Sequence, residues 1–222
     1  MSLSSSVPVT LKSRTEHTAT IIFLHGLGDN GASWTEILDR IIPDYVKIVC
    51  PNAPSIPVSM YENSIMPSWY DISKNEIEDL ESLENSSKHL QNIIDNEANN
   101  LPNGGISRIM IGGFSQGGAI AINCLLKSNQ TLAGCLILSS YFAGDFTPKV
   151  DHKIETPVFH CHGRADKVIS KDKTDRTLKV LKEVIQKYEF HNMLNLGHEI
   201  NDEELDLIKD FIYDNLPPVQ TL

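Results

Sequence analysis

At 222 residues the chain is long enough for one domain with a substantial core and short for two independent ones, because folds of this size bury most of the surface of the unfolded chain. Its 41% hydrophobic and 22% charged residues exclude the disordered class. The formal net charge of -10 argues against nucleic acid as a partner, since phosphate backbones demand a basic surface, and against electrostatic attachment to anionic membranes.

The first residues lack a basic segment followed by an apolar core, and no apolar run approaches membrane-spanning length, so a cytoplasmic protein is expected. Cys50, Cys124, Cys135 and Cys161 lie inside apolar runs with no C-x-x-C pair. They read as buried free thiols of a reducing compartment rather than as disulfides or metal ligands. One domain over residues 1–222 is expected, with residues 1–15 forming an irregular or edge-strand N-terminus.

The continuous apolar run at residues 18–24 predicts a strand buried on both faces. It ends in His25-Gly26-Leu27-Gly28-Asp29, after which Ser33 and Glu36 read as a capping box opening a helix through about Ile42. A second buried strand over 46–50 leads into a segment, 51–70, with aromatic and apolar landmarks but no steady periodicity. It is expected to be a long functional loop. Apolar residues at helical spacing over 76–97 predict an acidic-faced surface helix interrupted near Asn85-Ser86-Ser87. Strands are expected over 109–114, 134–139, 156–162 and 187–193. Helices are expected over 116–127, around Leu178 to Ile185, and after Asn201, which with Glu204 forms a capping pattern. Alternation of strands and helices implies a doubly wound, mostly parallel sheet with helices on both faces, whose active site gathers at the carboxyl ends of the strands.

Gly113-Phe114-Ser115-Gln116-Gly117 between a β-branched run and good helix formers has the layout of a nucleophile elbow. Three specified positions recur by chance in roughly 8% of chains of this length, so the context decides. Two other strand ends carry matching chemistry: Asp166 follows the 156–162 strand and His198 follows the last. The chain order serine, aspartate, histidine is that of α/β-hydrolases. A serine hydroxyl needs a base to take its proton, and imidazole needs a carboxylate to fix its tautomer. Ser115 is therefore the candidate nucleophile, His198 the base and acid, and Asp166 the orienter. The rivals are Asp145, Asp151 and Asp172 for the acid, and His191, His160 and His162 for the base; His160 and His162 share a strand face but lack a third metal ligand.

The backbone N–H groups of Gln116 and Leu27 are the candidate oxyanion donors, so side-chain replacement there is expected to be mild. His25 reads as structural and Asp29 as a brace for the glycine loop. Ile65, Met66 and Trp69 are candidates to line an acyl channel, the alternative being that they pin their loop to the core, Trp69 above all.

Together, His25-Gly26-Leu27-Gly28-Asp29, Pro67-Ser68-Trp69-Tyr70-Asp71, Gly112 to Gly118 and His162-Gly163-x-x-Asp166 resemble the acyl-protein thioesterase and lysophospholipase-like carboxylesterase family, in order and over nearly the whole chain. The resemblance implies a compact α/β-hydrolase without a large cap domain. It further implies hydrolysis of fatty-acyl thioesters and esters, above all removal of S-palmitoyl groups from cytosolic proteins. No cofactor and no metal are expected. Expected partners are S-acylated proteins or small acyl esters, at most transient membrane contact, no nucleic acid, and a weak homodimer left open. The alternatives are a broad-specificity carboxylesterase or lysophospholipase, and a catalytically silent lipid-binding scaffold. Lys167 stands where that family often has proline or a small apolar residue, and Ser2 where some animal members carry an acylated cysteine.

Overall fold

A computed structural model describes residues 7–101, 105–144 and 153–219; Ser2, Asp145 and Asp151 lie outside the described residues. In chain order the elements are β1 (Val9–Leu11), β2 (Ala19–Leu24), α1 (Gly31–Asp39), β3 (Val46–Cys50), β4 (Ser55–Val58), β5 (Ser64–Pro67), α2 (Leu80–Asn99), β6 (Ile109–Phe114) and α3 (Gln116–Lys127). There follow β7 (Gly134–Leu138), β8 (Val158–Gly163), α4 (Lys171–Val184), β9 (Tyr188–Met193) and α5 (Asp202–Asn215).

Seven strands form one sheet in the order β1-β3-β2-β6-β7-β8-β9. All neighbours are parallel except β1, which runs antiparallel to β3 at the edge. All six residues of β2 are buried, because β3 and β6 flank it and helices cover both faces. Period-two alternation sends Ile21 and Phe23 to the side of α1 and α5, with Trp34, Leu38, Ile208 and Phe211. Ile22 and Leu24 face α2, α3 and α4 with Leu90, Ile120 and Leu181. Each such burial contributes about 2 kcal/mol.

The chain runs outward from β2 to β3 and then returns past β2 to β6, so the winding direction reverses between β2 and β6. A crevice opens at the carboxyl ends of strands flanking such a reversal, and here those ends are the Gly26-Leu27 loop and Ser115.

Several elements depart from expectation. Helix α1 begins at Gly31, not at Ser33, because the Asn30 side chain accepts from the Ala32 and Ser33 N–H groups at 2.9 and 3.1 Å and so caps it earlier. The segment after β3 contains the antiparallel β4–β5 hairpin, whose turn carries left-handed Glu62 and Asn63 at φ 57° and 59°. Helix α2 starts at Leu80 under an Asp79 cap and passes through Asn85-Ser86-Ser87 without a break. Ser86 and Ser87 are on its buried face, and the Ser86 hydroxyl donates to the Trp69 carbonyl. Small polar side chains at that position let the helix approach the chain beneath it. Helix α4 starts at Lys171, seven residues before Leu178, capped by the Ser170 hydroxyl.

Candidate active site

Ser115 sits between β6 and α3 with φ 52° and ψ -119°, a region that L side chains rarely adopt. The turn is held by the Ser115 N–H donating to the Leu138 carbonyl at 2.9 Å and by the Ser140 hydroxyl donating to the Ser115 carbonyl at 2.6 Å. Its tightness explains the flanking glycines. A Cβ on Gly113 would come within 2.3 Å of the Gly117 carbonyl carbon, and one on Gly117 within 2.2 Å of the Leu24 carbonyl oxygen. Only hydrogen fits at either place.

The loops after β8 and β9 bring two further groups to this serine. The Arg164 N–H donates to Met193 O at 2.8 Å and the Ala165 N–H to Leu196 O at 3.0 Å, which fastens one loop on the other. His198 Nε2 then lies 2.9 Å from Ser115 Oγ, and His198 Nδ1 lies 2.8 Å from Asp166 Oδ2. The other carboxylate oxygen of Asp166 accepts from the Val168 and Ile169 N–H groups at 2.8 and 2.9 Å. The Asp166 side chain is 1% exposed. Burial by itself would raise its carboxyl, but donation from His162 and His198 and from the Ile169 backbone outweighs burial and holds it well below the usual carboxylate range. The Phe114 ring, 4.8 Å from that of His198, backs the imidazole.

The rival residues are placed elsewhere. Asp172 is exposed in the first turn of α4, and His191 stacks on Phe159 at 4.8 Å. His160 is fully buried with Nδ1 2.6 Å from the Tyr188 hydroxyl; burial, then the neighbouring His162, hold its pKa down to about 3. Among the described residues no group of three or more His, Cys, Asp or Glu side chains could hold a metal ion.

The glycine-rich loop after β2 is fixed by side chains. His25 is buried; its Nδ1 lies 2.7 Å from the Gly26 carbonyl and donates to it, and its Nε2 accepts from the Ala53 N–H at 3.0 Å. Asp29 accepts from the Trp34 indole N–H at 3.0 Å, and the Gly28 N–H donates to Pro67 O at 2.8 Å. Leu27 and Gln116 both line the cavity that contains Ser115 and His198. The first-turn N–H groups of a helix have no partner within it, which leaves the Gln116 amide available at the start of α3.

The side chain of Gln116 has a role that the sequence did not disclose. Its Oε1 accepts from the Trp69 N–H at 2.8 Å, and its Nε2 donates to Tyr70 O at 2.8 Å and to Ser68 Oγ at 2.9 Å. It ties residues 68–70 to the elbow, so the expectation that its replacement is mild is corrected.

The cavity beside Ser115 measures about 390 Å³, and Met60, Met66, Ile72, Phe114, Val168 and Ile169 make much of its wall. Of the three channel candidates, Met66 lines it. Ile65 is 74% exposed, because adjacent strand residues face opposite ways and its partner across the hairpin is Pro57. Trp69 is 2% exposed, and its indole N–H donates to His25 O at 2.8 Å, so it pins the loop and forms no part of the cavity wall. The wall also contains Lys173, whose Nζ lies 4.4 Å from the Tyr141 ring centre and 3.1 and 3.5 Å from the Glu76 and Glu78 carboxylates. No motif marked that group, since its carboxylate partners lie far beyond the three- or four-residue spacing that a helix face shows.

A phospholipase/carboxylesterase family model matches residues 6–216. Acyl-protein thioesterase 1 of Neurospora crassa is 36% identical, over 98% of this chain and 95% of that protein. Acyl-protein thioesterase 1 homolog 1 of Dictyostelium discoideum is 36% identical, over 93% of this chain and 94% of its own length. Among solved structures, Zea mays acyl-protein thioesterase 2 matches with a TM-score of 0.78 and 27% identity, covering 94% of this chain and 98% of that one. Arabidopsis thaliana SOBER1 matches with a TM-score of 0.80 and 29% identity, covering 90% and 99%.

Proposed function

The chain belongs to the phospholipase/carboxylesterase family of α/β-hydrolases, and we propose that it is a single-domain serine hydrolase that cleaves fatty-acyl thioesters and esters, above all S-acyl groups on proteins. The observation that carries this reading is the run of contacts from Ser115 Oγ through both nitrogens of His198 to the buried Asp166, opening on a largely apolar cavity.

In the proposed reaction His198 Nε2 takes the Ser115 proton as Oγ attacks the acyl carbonyl carbon. The oxyanion is held by the Leu27 and Gln116 backbone N–H groups; losing one such donor costs about 10² to 10³-fold in rate. Collapse expels the thiolate or alkoxide, which receives the proton from His198 Nε2 and leaves Ser115 acylated. Water, losing a proton to the same nitrogen, then attacks that ester; collapse breaks the bond to Ser115 Oγ, which takes the proton back from His198 Nε2, and releases the fatty acid. Asp166 holds the His198 Nδ1–H throughout and stabilises the imidazolium. The apolar cavity wall takes the hydrocarbon chain.

The buried free cysteines support a reducing compartment, and the cytoplasm is the location we propose. Among the described residues no helix is long and apolar enough to cross a membrane.

The test is labelling with a fluorophosphonate followed by hydrolysis of acyl thioesters and oxygen esters of graded length. Labelling at Ser115 is expected, with kcat in Ser115→Ala reduced by at least about 10⁴-fold. Undiminished hydrolysis in that variant, or labelling elsewhere, rejects the mechanism. A strong preference for short oxygen esters moves the protein to the broad-specificity carboxylesterase reading and leaves the mechanism intact.

A further inference from the structure

Against the Asp166 carboxylate, lining a different hollow from the one that His198 lines, lies a second imidazole that the proposed reaction does not use. His162 is the penultimate residue of β8, and its side chain is 5% exposed. Its Nε2 lies 3.3 Å from Asp166 Oδ2, the same oxygen that faces His198 Nδ1, and 3.3 Å from Thr174 Oγ1 at the start of α4. The Thr174 hydroxyl lies 3.3 Å from the Ser170 carbonyl, which accepts its hydrogen. Thr174 Oγ1 therefore faces His162 with a lone pair, and a carboxylate offers nothing else. Both neighbours of Nε2 are acceptors, which places the proton on Nε2. Nδ1 is left with a lone pair and is buried without a hydrogen-bond partner among the described residues.

We infer that His162 is a positioning residue for this site: its Nε2–H, shared between Asp166 and Thr174, fixes the carboxylate rotamer that aims Oδ2 at His198. The inference rests on the serine-hydrolase reading. The physical need is plain, because Asp166 Oδ2 receives no backbone donor, whereas Oδ1 receives those of Val168 and Ile169. Two N–H groups on Oδ1 leave the carboxylate free to pivot about that oxygen, and a second donor on Oδ2 beside His198 removes this freedom. His162 also takes part of the negative charge that would otherwise fall wholly on His198. Removing it makes the carboxylate attract a second proton at His198 more strongly. The other titratable groups around His162 are His160 on the same strand, at 6.2 Å between rings, and Arg164, Lys171 and Asp175 around the hollow of about 270 Å³ behind it. Lys171 and Asp175 pair with each other.

The experiment compares wild type with His162→Phe and His162→Gln over a full pH range. In His162→Phe, kcat is expected to fall about tenfold or more with KM within about threefold, and the acid limb of kcat/KM to move to higher pH by about half a unit or more. His162→Gln, whose amide N–H can occupy the place of Nε2–H, is expected to recover most of the rate and the original limb. A purely structural role would lower the active fraction and leave the limb in place. Should His162→Phe fail to fold, nitrogen chemical shifts of the wild-type rings decide the matter. A Nε2-protonated His162 supports the inference, and a Nδ1-protonated one overturns it. A folded His162→Phe with unchanged kcat and acid limb also overturns it. Loss of fluorophosphonate labelling in the wild type would sink the serine-hydrolase reading while the tautomer measurement still stood by itself.

Discussion

Ser115 adopts a backbone conformation that costs of order 1–3 kcal/mol, and the surrounding bonds to Leu138 and Ser140 hold it there. The next residue, Gln116, shows how much one side chain at such a turn can carry. Replacing it by alanine leaves the Trp69 N–H unpaired in the interior and takes one of two donors from the Tyr70 carbonyl, which still accepts from the Ser68 hydroxyl; a buried unpaired group costs about 1–3 kcal/mol. Gln116→Ala should therefore lose about 2 kcal/mol of stability in urea denaturation. Its kcat should fall as well, since residues 68–70 carry the bond that supports the glycine loop through Trp69 and His25. A variant with unaltered denaturation midpoint would show that this network is dispensable. The sequence offers Gln116 as a candidate amide donor because it follows the serine at the start of a helix. The side-chain role depends on Trp69 and Tyr70 being 47 and 46 residues distant and yet adjacent, which no local pattern encodes.

At the scale of elements, the β4–β5 hairpin divides the channel candidates. Met66 pairs with Ile56 and Ile65 with Pro57, so one residue's difference in register sends one side chain to the cavity and the other to solvent. Met66→Ser is expected to raise KM for a long-chain acyl thioester by about tenfold, because the lost methylenes and thioether leave apolar wall uncovered. Ile65→Ser should change KM for a soluble substrate by less than about twofold. Equal effects of the two, measured by steady-state kinetics, would contradict the orientation of the hairpin. The hairpin was illegible in the sequence because its strands are only four residues each, carry two prolines, and are joined by a short helical turn at Ser59–Tyr61. The helix break expected near Asn85 failed for a related reason: Ser86 and Ser87 face the core, where helix approach favours small side chains over helix propensity.

Across the whole molecule, stability is coupled to pH by carboxyl groups of opposite sign, of which Asp166 and Glu204 shift furthest. Asp166 is held below the usual range in the fold, so its contribution is present above the ordinary carboxylate range and is lost as pH falls towards its folded value. Glu204, in the first turn of α5, is fully buried and its two oxygens have no hydrogen-bond partner among the described residues. Burial raises it to about 7, against a smaller opposing effect of the Cys161 thiol. The folded state therefore binds the Glu204 proton more tightly than the unfolded chain does. The associated stability is complete below the ordinary glutamate range and is lost as pH rises through about 7. Glu204→Gln removes that titration. The difference in unfolding free energy between wild type and variant should change by about 3 kcal/mol between acidic pH and pH 8, in the direction that favours the variant at alkaline pH. A pH-independent difference in denaturation would refute the assignment.

The sequence by itself determined the alternation of the main-sheet strands with their helices, the glycine-flanked turn at Ser115, and which residues follow each of those strands. These depend on local sterics and on hydrophobic periodicity, and both are written in neighbouring positions. It also carried the resemblance that led to the family, since those motifs are short runs at strand ends. Only the tertiary structure decided that Ser115, His198 and Asp166 stand within hydrogen-bond reach, that Gln116 and Trp69 brace the glycine-rich loop after β2, and that Met66 faces the cavity while Ile65 faces solvent. It also decided that His162 shares the Asp166 oxygen with His198, although the two histidines had entered as competitors for one role. Each of these is a contact between segments far apart in the chain, fixed by sheet register and by loops fastened on one another. The chemistry of a side chain can be read from its identity, but its partner is chosen by the fold.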